Sequence, residues 1–249
     1  MHIGVDGCKA GWIAVTRGRD RLDYAVCASL RELISTFPRA ERVVLDIPIG
    51  LPWKGAEIRP CDHLARSVLG SPRKSSVFPV PCREAAHAQS ADQARALNLL
   101  VLERSLTAQT LSICRKIAEV DSLLRDPSGN GSHMREIHPE VCFWALAGFK
   151  PMRHRKTTNA GRRERLDVLE RHEPGARALL TRILAERPRK QVKADDVLDA
   201  LAAFVTAEAR VGRLMRLVGE PSNDQAGLPM EMLYVELQTT PILSAGQIA

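Results

Sequence analysis

The sequence predicts an α/β fold built around a mixed β-sheet, and three observations lead to that prediction. Three short segments with strand-like patterns follow one another at the amino terminus, with glycine near their turns. A segment with helical spacing comes next, and a short run of apolar residues follows it. Consecutive short strands form an antiparallel meander. A helix between two strands of one sheet then makes a right-handed crossover to a parallel strand, which we expect to be central.

The individual elements of the first 50 residues follow from local patterns. The three strands are MHIGVDG, GWIAVTRG and RLDYAVCA, and the turn-like GRDR joins the last two. The helix is SLRELISTFP, in which Ser29 is placed to cap the amino end and Pro38 follows the last turn. The fourth strand lies in ERVVLDIPIG, because the apolar run from Val43 to Leu45 is too short for a helix.

A long segment after the fourth strand interrupts this regular pattern. Residues 51–90 are rich in proline and glycine and contain one predicted helix, around residues 62–69. Residues 91–125 have helical spacing throughout. We interpret residues 51–125 as an irregular and helical insertion into a single domain that spans residues 1–249. Irregular segments of this length in a compact domain are commonly functional.

The carboxyl-terminal half is predicted to be mostly helical. A short strand and a helix that begins near Pro139 follow the insertion, and further helices lie near residues 161–172 and 175–187. Another helix begins at Asp195, a natural N-cap, or at the residue after it, and continues to about Arg213. The segment PMEMLYVEL has the pattern of a last strand.

The composition is that of a globular protein without a membrane span. The chain is 45% hydrophobic and 26% charged, and no apolar run approaches the roughly 18 residues of a spanning helix. Since MHIGVDGCKAGW lacks the features of a signal peptide, we expect a cytoplasmic protein. Six scattered cysteines without a Cys-x-x-Cys motif are typical of reduced thiols. A zinc site assembled from distant Cys and His residues stays open as an alternative.

The positive charge of the protein is concentrated in one segment. Residues 150–193, a basic helical segment, hold 14 Lys and Arg against 5 Asp and Glu, while the chain as a whole carries +7. Such a concentration favours a polyanionic partner, although Arg-rich helices with solvated outer faces would give the same count. We therefore expect contacts to a nucleic-acid backbone from six residues, four in this segment and two in the irregular segment before it. They are Lys156, Arg162, Arg163, Arg165, Arg66 and Arg83.

Acidic side chains stand where several predicted elements meet. Asp6 ends the first strand and Asp46 ends the fourth, so both are expected at the same edge of the sheet. Asp196 and Asp199 are three residues apart and share one face of their helix. A further oxygen would come from Glu140, which follows another predicted strand, as does Glu136.

Carboxylates that converge without a basic neighbour repel one another, and a hard divalent cation resolves that conflict. We expect Asp6, Asp46 and Asp196 to hold Mg²⁺ or Mn²⁺, with Asp199 or Glu140 completing the site. Acids in the first turn of a helix also oppose its dipole, which offers a purely structural explanation for one or two of them. Asp199 lies in the second turn among apolar residues, where that explanation does not reach.

A family resemblance points the same way. VDGCKAGWIAV, LDIPIGLP, RPCDHLARSVLG with SSVFPVPCR, EIHPEVCF and KADDVLDALAAF occur in this order. Together they resemble domain of unknown function family 429, whose members are predicted nucleases with a ribonuclease H-like fold. The resemblance implies a five-stranded mixed sheet in the order 3-2-1-4-5, flanked by helices. By similarity to that wider superfamily, the catalytic acids would be Asp6, Asp46, Asp196 and Asp199, and Glu140 matches the HPE motif.

These observations support three functional hypotheses. The first is a divalent-metal-dependent nuclease that hydrolyses phosphodiester bonds of DNA or RNA, with the basic segment holding the backbone. The second is a nucleotide-dependent phosphotransferase or ATPase of the same superfamily, in which DGCKAGW would cradle phosphates and Lys9 would reach one of them. The third is a non-catalytic nucleic-acid-binding protein. The apolar PMEMLYVEL and the almost uncharged tail after it would suit a homodimer interface.

Overall fold

The main feature of the structure, a computed structural model, is a five-stranded mixed sheet. The structure describes residues 1–129, 131 and 133–238. The strand order is β3-β2-β1-β4-β5, which confirms the predicted order. Strands β1, β2 and β3 form the antiparallel meander, while β4 and β5 run parallel to β1. The strands are β1 His2–Cys8, β2 Gly11–Arg17, β3 Leu22–Cys27, β4 Arg42–Leu45 and β5 Met134–Glu136.

Alternating side chains of the central strands pack into two separate apolar layers, one on each face of the sheet. In β2, Ile13 and Val15 pack with helix α9 (Ala194–Glu208) on one face of the sheet. Trp12 and Ala14 pack on the other face with helices α1 (Leu30–Thr36) and α5 (Ala108–Leu124). This period of two is what a sheet buried on both faces requires. Burial of both layers supplies the apolar core of the fold.

The local signals at the amino terminus produce the expected elements. The Ser29 hydroxyl accepts a hydrogen bond from the Glu32 N–H at 3.1 Å, which caps α1 as predicted. The run from Val43 to Leu45 is fully buried in β4. Strand β4 pairs in parallel register with β1 along its whole length, and its last residue, Leu45, lies opposite Val5.

The insertion is more helical than the sequence indicates. The helix expected around residues 62–69 extends over Pro60–Arg73 as α2, with a kink at Gly70, whose φ is +56°. Continuous helical spacing over residues 91–125 is wrong, because the chain leaves the helix at Glu103 in a left-handed conformation. The insertion comprises α2, a 3₁₀ turn (Lys74–Ser76), α3 (Arg83–Ala86), α4 (Ala91–Leu102) and α5.

Helices α6 (Pro139–Leu146), α7 (Asn159–His172) and α8 (Ala176–Glu186) match the predicted positions, but the next helix differs at both ends. Lys193, not Asp195, is the N-cap residue of α9, since the carboxylate of Asp196 accepts the Lys193 N–H at 2.9 Å.

Helix α9 ends at Glu208, before the predicted end near Arg213, because Ala209 adopts a left-handed conformation that terminates it. The residues after it form strand β6 (Gly212–Arg216), which pairs antiparallel with β7 (Leu233–Leu237), the expected last strand. A parallel bridge between Ile137 and Leu233 joins this two-stranded sheet to the end of the main sheet. Residues 239–249, which hold most of the proposed homodimer tail, lie outside the described residues. Among the described helices, none is both long enough and apolar enough to cross a bilayer.

Helix α9 lies unusually close to the central strand β1, and Gly4 is the reason. A Cβ placed on Gly4 would lie 2.0 Å from the Phe204 nitrogen and 2.4 Å from the Ala200 oxygen of α9. No side chain can be accommodated against backbone atoms at those distances. The missing side chain therefore sets the height of α9 above the sheet, and with it the position of the α9 carboxylates.

We expect Gly4→Ala to destabilise the protein by about 3 kcal/mol or more, because overpacking against a helix backbone has no flexible side chain to relieve it. Urea denaturation measures the change in the free energy of unfolding. Gly219→Ala is the matched control, since a Cβ at Gly219 meets nothing within 4 Å. Equal stability of the two variants would mean that the contact between α9 and β1 is not tight.

Candidate functional site

A cavity of about 630 Å³ opens at the carboxyl ends of β1 and β4, and six acids line it. Asp6 lies in β1 immediately after Val5, and Asp46 follows Leu45, the parallel partner of Val5. The Asp46 N–H donates to the Val5 carbonyl at 3.3 Å, which extends the parallel register by one residue. Both carboxylates therefore reach the same edge of the sheet. The acids that line the cavity are Asp6, Asp46, Asp62, Glu136, Glu140 and Asp196.

Helix α9 brings two further carboxylates to this edge. Asp196 lies in its first turn and lines the cavity. Asp199 lies one turn later and is 2% exposed, beneath the cavity wall. Its Oδ1 atom is buried without a hydrogen-bond partner among the described residues. The expected convergence of acids from a strand end and a helix start is thus present in the structure.

A basic side chain is also present in this group, contrary to the expectation that none would be near. The Lys156 Nζ lies 2.6 Å from the Asp199 Oδ2. Its pKa is raised, first by the charge of Asp199 and further by Asp6 and Asp46. Lys156 therefore belongs to the acid cluster and lines the cavity, and its contact with a nucleic-acid backbone stays a prediction.

The acids themselves hold their protons more tightly than usual. Burial raises the pKa of Asp46 to about 7, with the negative charges of Asp199 and Glu140 adding to the effect and Lys156 opposing it. Burial raises the pKa of Asp196 to about 6. The pKa of Asp6 is well above its ordinary value, through burial and then the charges of Asp199 and Asp46. These carboxylates lie among like charges, and within the described residues neither Asp6 nor Asp46 has an ion pair of its own.

Glu140 is held differently from the other acids. It lies in the first turn of α6, is 5% exposed and forms an ion pair with Arg165. Its second oxygen, Oε2, is buried without a partner in the described part of the chain. Arg165 is itself fully buried and also donates to the carbonyl of His154 at 3.1 Å. The expectation that Arg165 contacts a nucleic-acid backbone is therefore wrong, because its guanidinium is committed to the interior.

The remaining predicted basic residues fall into two groups. Arg83 forms ion pairs with Asp121 and Asp224, and the Arg66 Nε donates to the Val77 carbonyl at 3.1 Å. These contacts commit Arg83 and Arg66 to groups within the protein, whereas we expected both to contact a nucleic-acid backbone. Arg162 and Arg163 line a separate groove beside the start of α9, together with Arg177, Arg189 and Lys193.

A second acid group also contributes to the cavity wall, through Asp62 and Glu136, but it is paired within the protein. Among the described residues, Cys61, Asp62 and Glu136 form the only group of three potential metal ligands whose ligand atoms lie within 4.8 Å of one another. Arg59 donates to both carboxylates and to the Ile49 carbonyl at 2.8 Å. Arg59 forms buried ion pairs with both carboxylates, so this group already has a cationic partner. Glu136, expected as a further oxygen ligand, is part of this network.

Several other residues of the cavity wall were not predicted from the sequence. Arg73, Lys116 and Arg155 add positive charge to it, and Phe78 is 39% exposed there. The Lys116 Nζ donates to the Gly11 carbonyl and lies 4.1 Å from the centre of the Trp12 ring. Burial lowers its pKa. Lys116 lies between the charged Arg115 and the buried Ile117 in the amphipathic α5, and no local pattern distinguishes it from the other charged residues of that helix.

The carboxylate cluster fits a hydrated divalent cation. Within the described residues, Asp6 and Asp46 have no ion pair or side-chain hydrogen bond, and Asp199 retains an unpartnered oxygen. Carboxylate oxygens are the ligands that Mg²⁺ and Mn²⁺ prefer. No three of these acids bring ligand atoms within 4.8 Å of one another, as far as the structure describes the chain. A cation here would therefore keep water molecules in its shell, as Mg²⁺ commonly does.

We expect Asp46→Asn to stabilise the metal-free protein at pH 8 and to have no such effect near pH 4. Because the folded pKa of Asp46 is raised to about 7, the folded state binds more protons than the unfolded state between about pH 4 and pH 7. Stability therefore falls as pH rises through this window. The gain at pH 8 should be about 1–2 kcal/mol, allowing for partial solvent exposure.

Urea denaturation in the presence of a chelator at pH 4, 6 and 8 measures this difference. Asp20→Asn, at an exposed loop residue, is the control and should leave the pH profile unchanged. A stability gain in Asp46→Asn that does not depend on pH would contradict the explanation by carboxylate repulsion.

Comparison with known protein families gives a match that covers the residues of this site. The model of the family described as protein of unknown function (DUF429) matches residues 4–223, a range that includes every acid of the cluster. No curated protein and no solved structure matches the chain significantly. Because the matched range covers most of the sequence, the chain belongs to the DUF429 family.

Proposed function

We propose that this protein is a divalent-metal-dependent nuclease whose active site is the carboxylate cavity. The observation that carries the proposal is the convergence of Asp6, Asp46 and Asp196 from two strand ends and one helix start into a single cavity. The side chains of Asp6 and Asp46 lack a neutralising partner within the described residues. Buried, mutually repelling carboxylates destabilise a fold, so their presence favours a functional reason.

Asp6, Asp46 and Asp196 would hold Mg²⁺ or Mn²⁺, and such an ion supplies the Lewis acidity needed for phosphodiester hydrolysis. Asp199 lies behind them and positions Lys156. Glu140 contributes one unpartnered oxygen at the cavity wall. The raised pKa values of Asp46 and Asp196 predict that protons compete with the metal near neutral pH.

The surroundings of the cavity suit an anionic, partly aromatic substrate. Arg73 and Arg155 also line the cavity and can bind phosphate oxygens. Phe78 offers an exposed ring at the cavity on which a base can stack. The groove lined by Arg162 and Arg163 beside the start of α9 offers a path for the flanking backbone. These features favour DNA or RNA over an uncharged substrate.

The nucleotide-dependent alternative has less support. The turn between β1 and β2 is tight, since Cys8 pairs with Gly11 and only two residues separate them. The N–H of Ala10 in that turn donates to the Gln191 carbonyl at 3.1 Å. Lys9 is exposed and is not among the residues that line the cavity. A phosphate-binding hairpin needs free backbone N–H groups, and this turn has committed one of them.

We expect Asp6→Asn to reduce cleavage by about 100-fold or more, because removal of a metal-coordinating carboxylate weakens both metal binding and charge stabilisation of the transition state. The assay uses labelled single- and double-stranded DNA and RNA with Mg²⁺ or Mn²⁺, and circular dichroism checks the fold. Asp20→Asn is the control for loss of one carboxylate. If purified Asp6→Asn retained the wild-type rate, the assignment of this cavity as the active site would be rejected.

We also expect Mn²⁺ alone to raise the thermal stability of the protein, and to do so more at pH 8 than at pH 6. Protons occupy Asp46 and much of Asp196 at pH 6, so the metal then competes with them. At a metal concentration 100 times the dissociation constant, stabilisation is about 2.7 kcal/mol. Differential scanning fluorimetry measures the shift, with Asp46→Asn as the variant that should lose most of it.

ATP with Mg²⁺ in the same assay tests the alternative function. Stabilisation by the nucleotide, with no response to Mn²⁺ alone, would favour the phosphotransferase hypothesis over the nuclease. High affinity for an oligonucleotide that survives chelation and the mutation Asp196→Asn would instead indicate a non-catalytic binding protein.

A further inference from the structure

The Lys156 ammonium group lies against Asp199, a carboxylate that could otherwise coordinate a metal ion. Its Nζ lies 2.6 Å from the Asp199 Oδ2, and Asp199 is almost fully buried beneath the cavity. The Lys156 side chain is half-buried and lines the cavity beside Asp6 and Asp46. The negative charges of Asp199, Asp6 and Asp46 all raise the pKa of Lys156. A positive charge is thus already present on the Asp199 side of the cluster.

The backbone around Lys156 is held in place from behind. The carboxylate of Glu164, in α7, accepts the N–H of Arg153 at 2.8 Å and the N–H of His154 at 2.9 Å. The hydroxyl of Thr158 caps α7 by accepting the Gly161 N–H at 3.0 Å. These contacts tie both sides of the segment that carries Lys156 to the first turns of α7.

Gly161 lets this segment lie directly on the helix. A Cβ at Gly161 would be 1.9 Å from the Arg155 carbonyl oxygen, so only glycine permits the contact. Arg165, one turn later, donates to the His154 carbonyl and to the Gly161 carbonyl. Glu140 forms an ion pair with the other Nη atom of Arg165. The cavity acid Glu140 is therefore connected, through Arg165, to the segment that presents Lys156.

We propose that Lys156 is the built-in second cation of the carboxylate site, so that the site binds a single divalent ion on the side of Asp6, Asp46 and Asp196. This inference rests on the proposed function and specifies its metal content. Asp199 is committed to the ammonium through one oxygen, and a second divalent ion at that carboxylate would lie beside a like charge. Asp6, Asp46 and Asp196 have no cationic side chain bonded to them among the described residues. They are therefore the ligands open to the single ion.

Counting bound ions tests the proposal without reference to activity. Isothermal titration with Mn²⁺ at pH 8, together with electron paramagnetic resonance of free Mn²⁺, gives the number of ions per chain. We expect one ion for the wild type and two for Lys156→Met, because loss of the ammonium frees Asp199 and lowers the positive charge of the site. Lys156→Arg keeps the charge and should again bind one ion.

Lys150→Met is the matched control, since Lys150 is exposed in the same basic segment and, within the described residues, bonds only through its backbone N–H, to the Trp144 carbonyl. It should bind one ion like the wild type. If Lys156→Met does not fold, Lys156→Gln is used for the same count, with an expected value of two.

Two results would overturn the inference. They are two ions bound by the wild type, or one ion bound by a folded Lys156→Met or Lys156→Gln. The proposed nuclease function would survive either result if the wild type still cleaved nucleic acid and Asp6→Asn did not. A wild-type protein that binds no Mn²⁺ would instead reject the proposed function and this inference together.

Discussion

The close approach of helix α9 to strand β1 is the constraint on which the site depends. Gly4 has no side chain, and backbone atoms of Ala200 and Phe204 occupy the space that a Cβ would need. Since Asp196 and Asp199 lie on the same helix as these residues, the height of the helix above the sheet fixes how near its acids come to Asp6. A small residue in the core thus determines the geometry of a charged cavity at the edge of the sheet.

Buried arginines stabilise the irregular segments that surround this cavity. Arg59 connects Asp62 of α2, Glu136 of β5 and the Ile49 carbonyl, and so fixes the turn that follows Asp46. Arg165 makes the equivalent connection on the opposite side, between Glu140 and the backbone before α7. Removing one partner from such a buried ion pair leaves an uncompensated charge, which costs about 3–5 kcal/mol. Each pair therefore specifies one position for a segment that has little regular structure of its own.

The charge balance of the cavity separates two kinds of acid. Glu136, Asp62 and Glu140 form buried ion pairs with guanidinium groups and belong to the framework of the fold. Asp6 and Asp46 have no such partner in the described residues, and burial and repulsion raise their pKa values. The difference explains why composition and spacing alone overestimate the number of acids available to a ligand.

The sequence by itself determined the antiparallel meander, the crossover to a parallel strand, and the location of the acids near the ends of β1 and β4 and at the start of α9. Those features depend on local periodicity and on chain order, which are properties of the sequence. The complete strand order was implied by the family resemblance. Only the tertiary structure decided which charges neutralise each other, because Lys156 meets Asp199 and Arg165 meets Glu140 across 43 and 25 residues. The same holds for the end of α9 and for strand β6, which is held by its pairing with β7. Contacts between residues distant in the chain depend on how elements pack, and no local pattern encodes that packing.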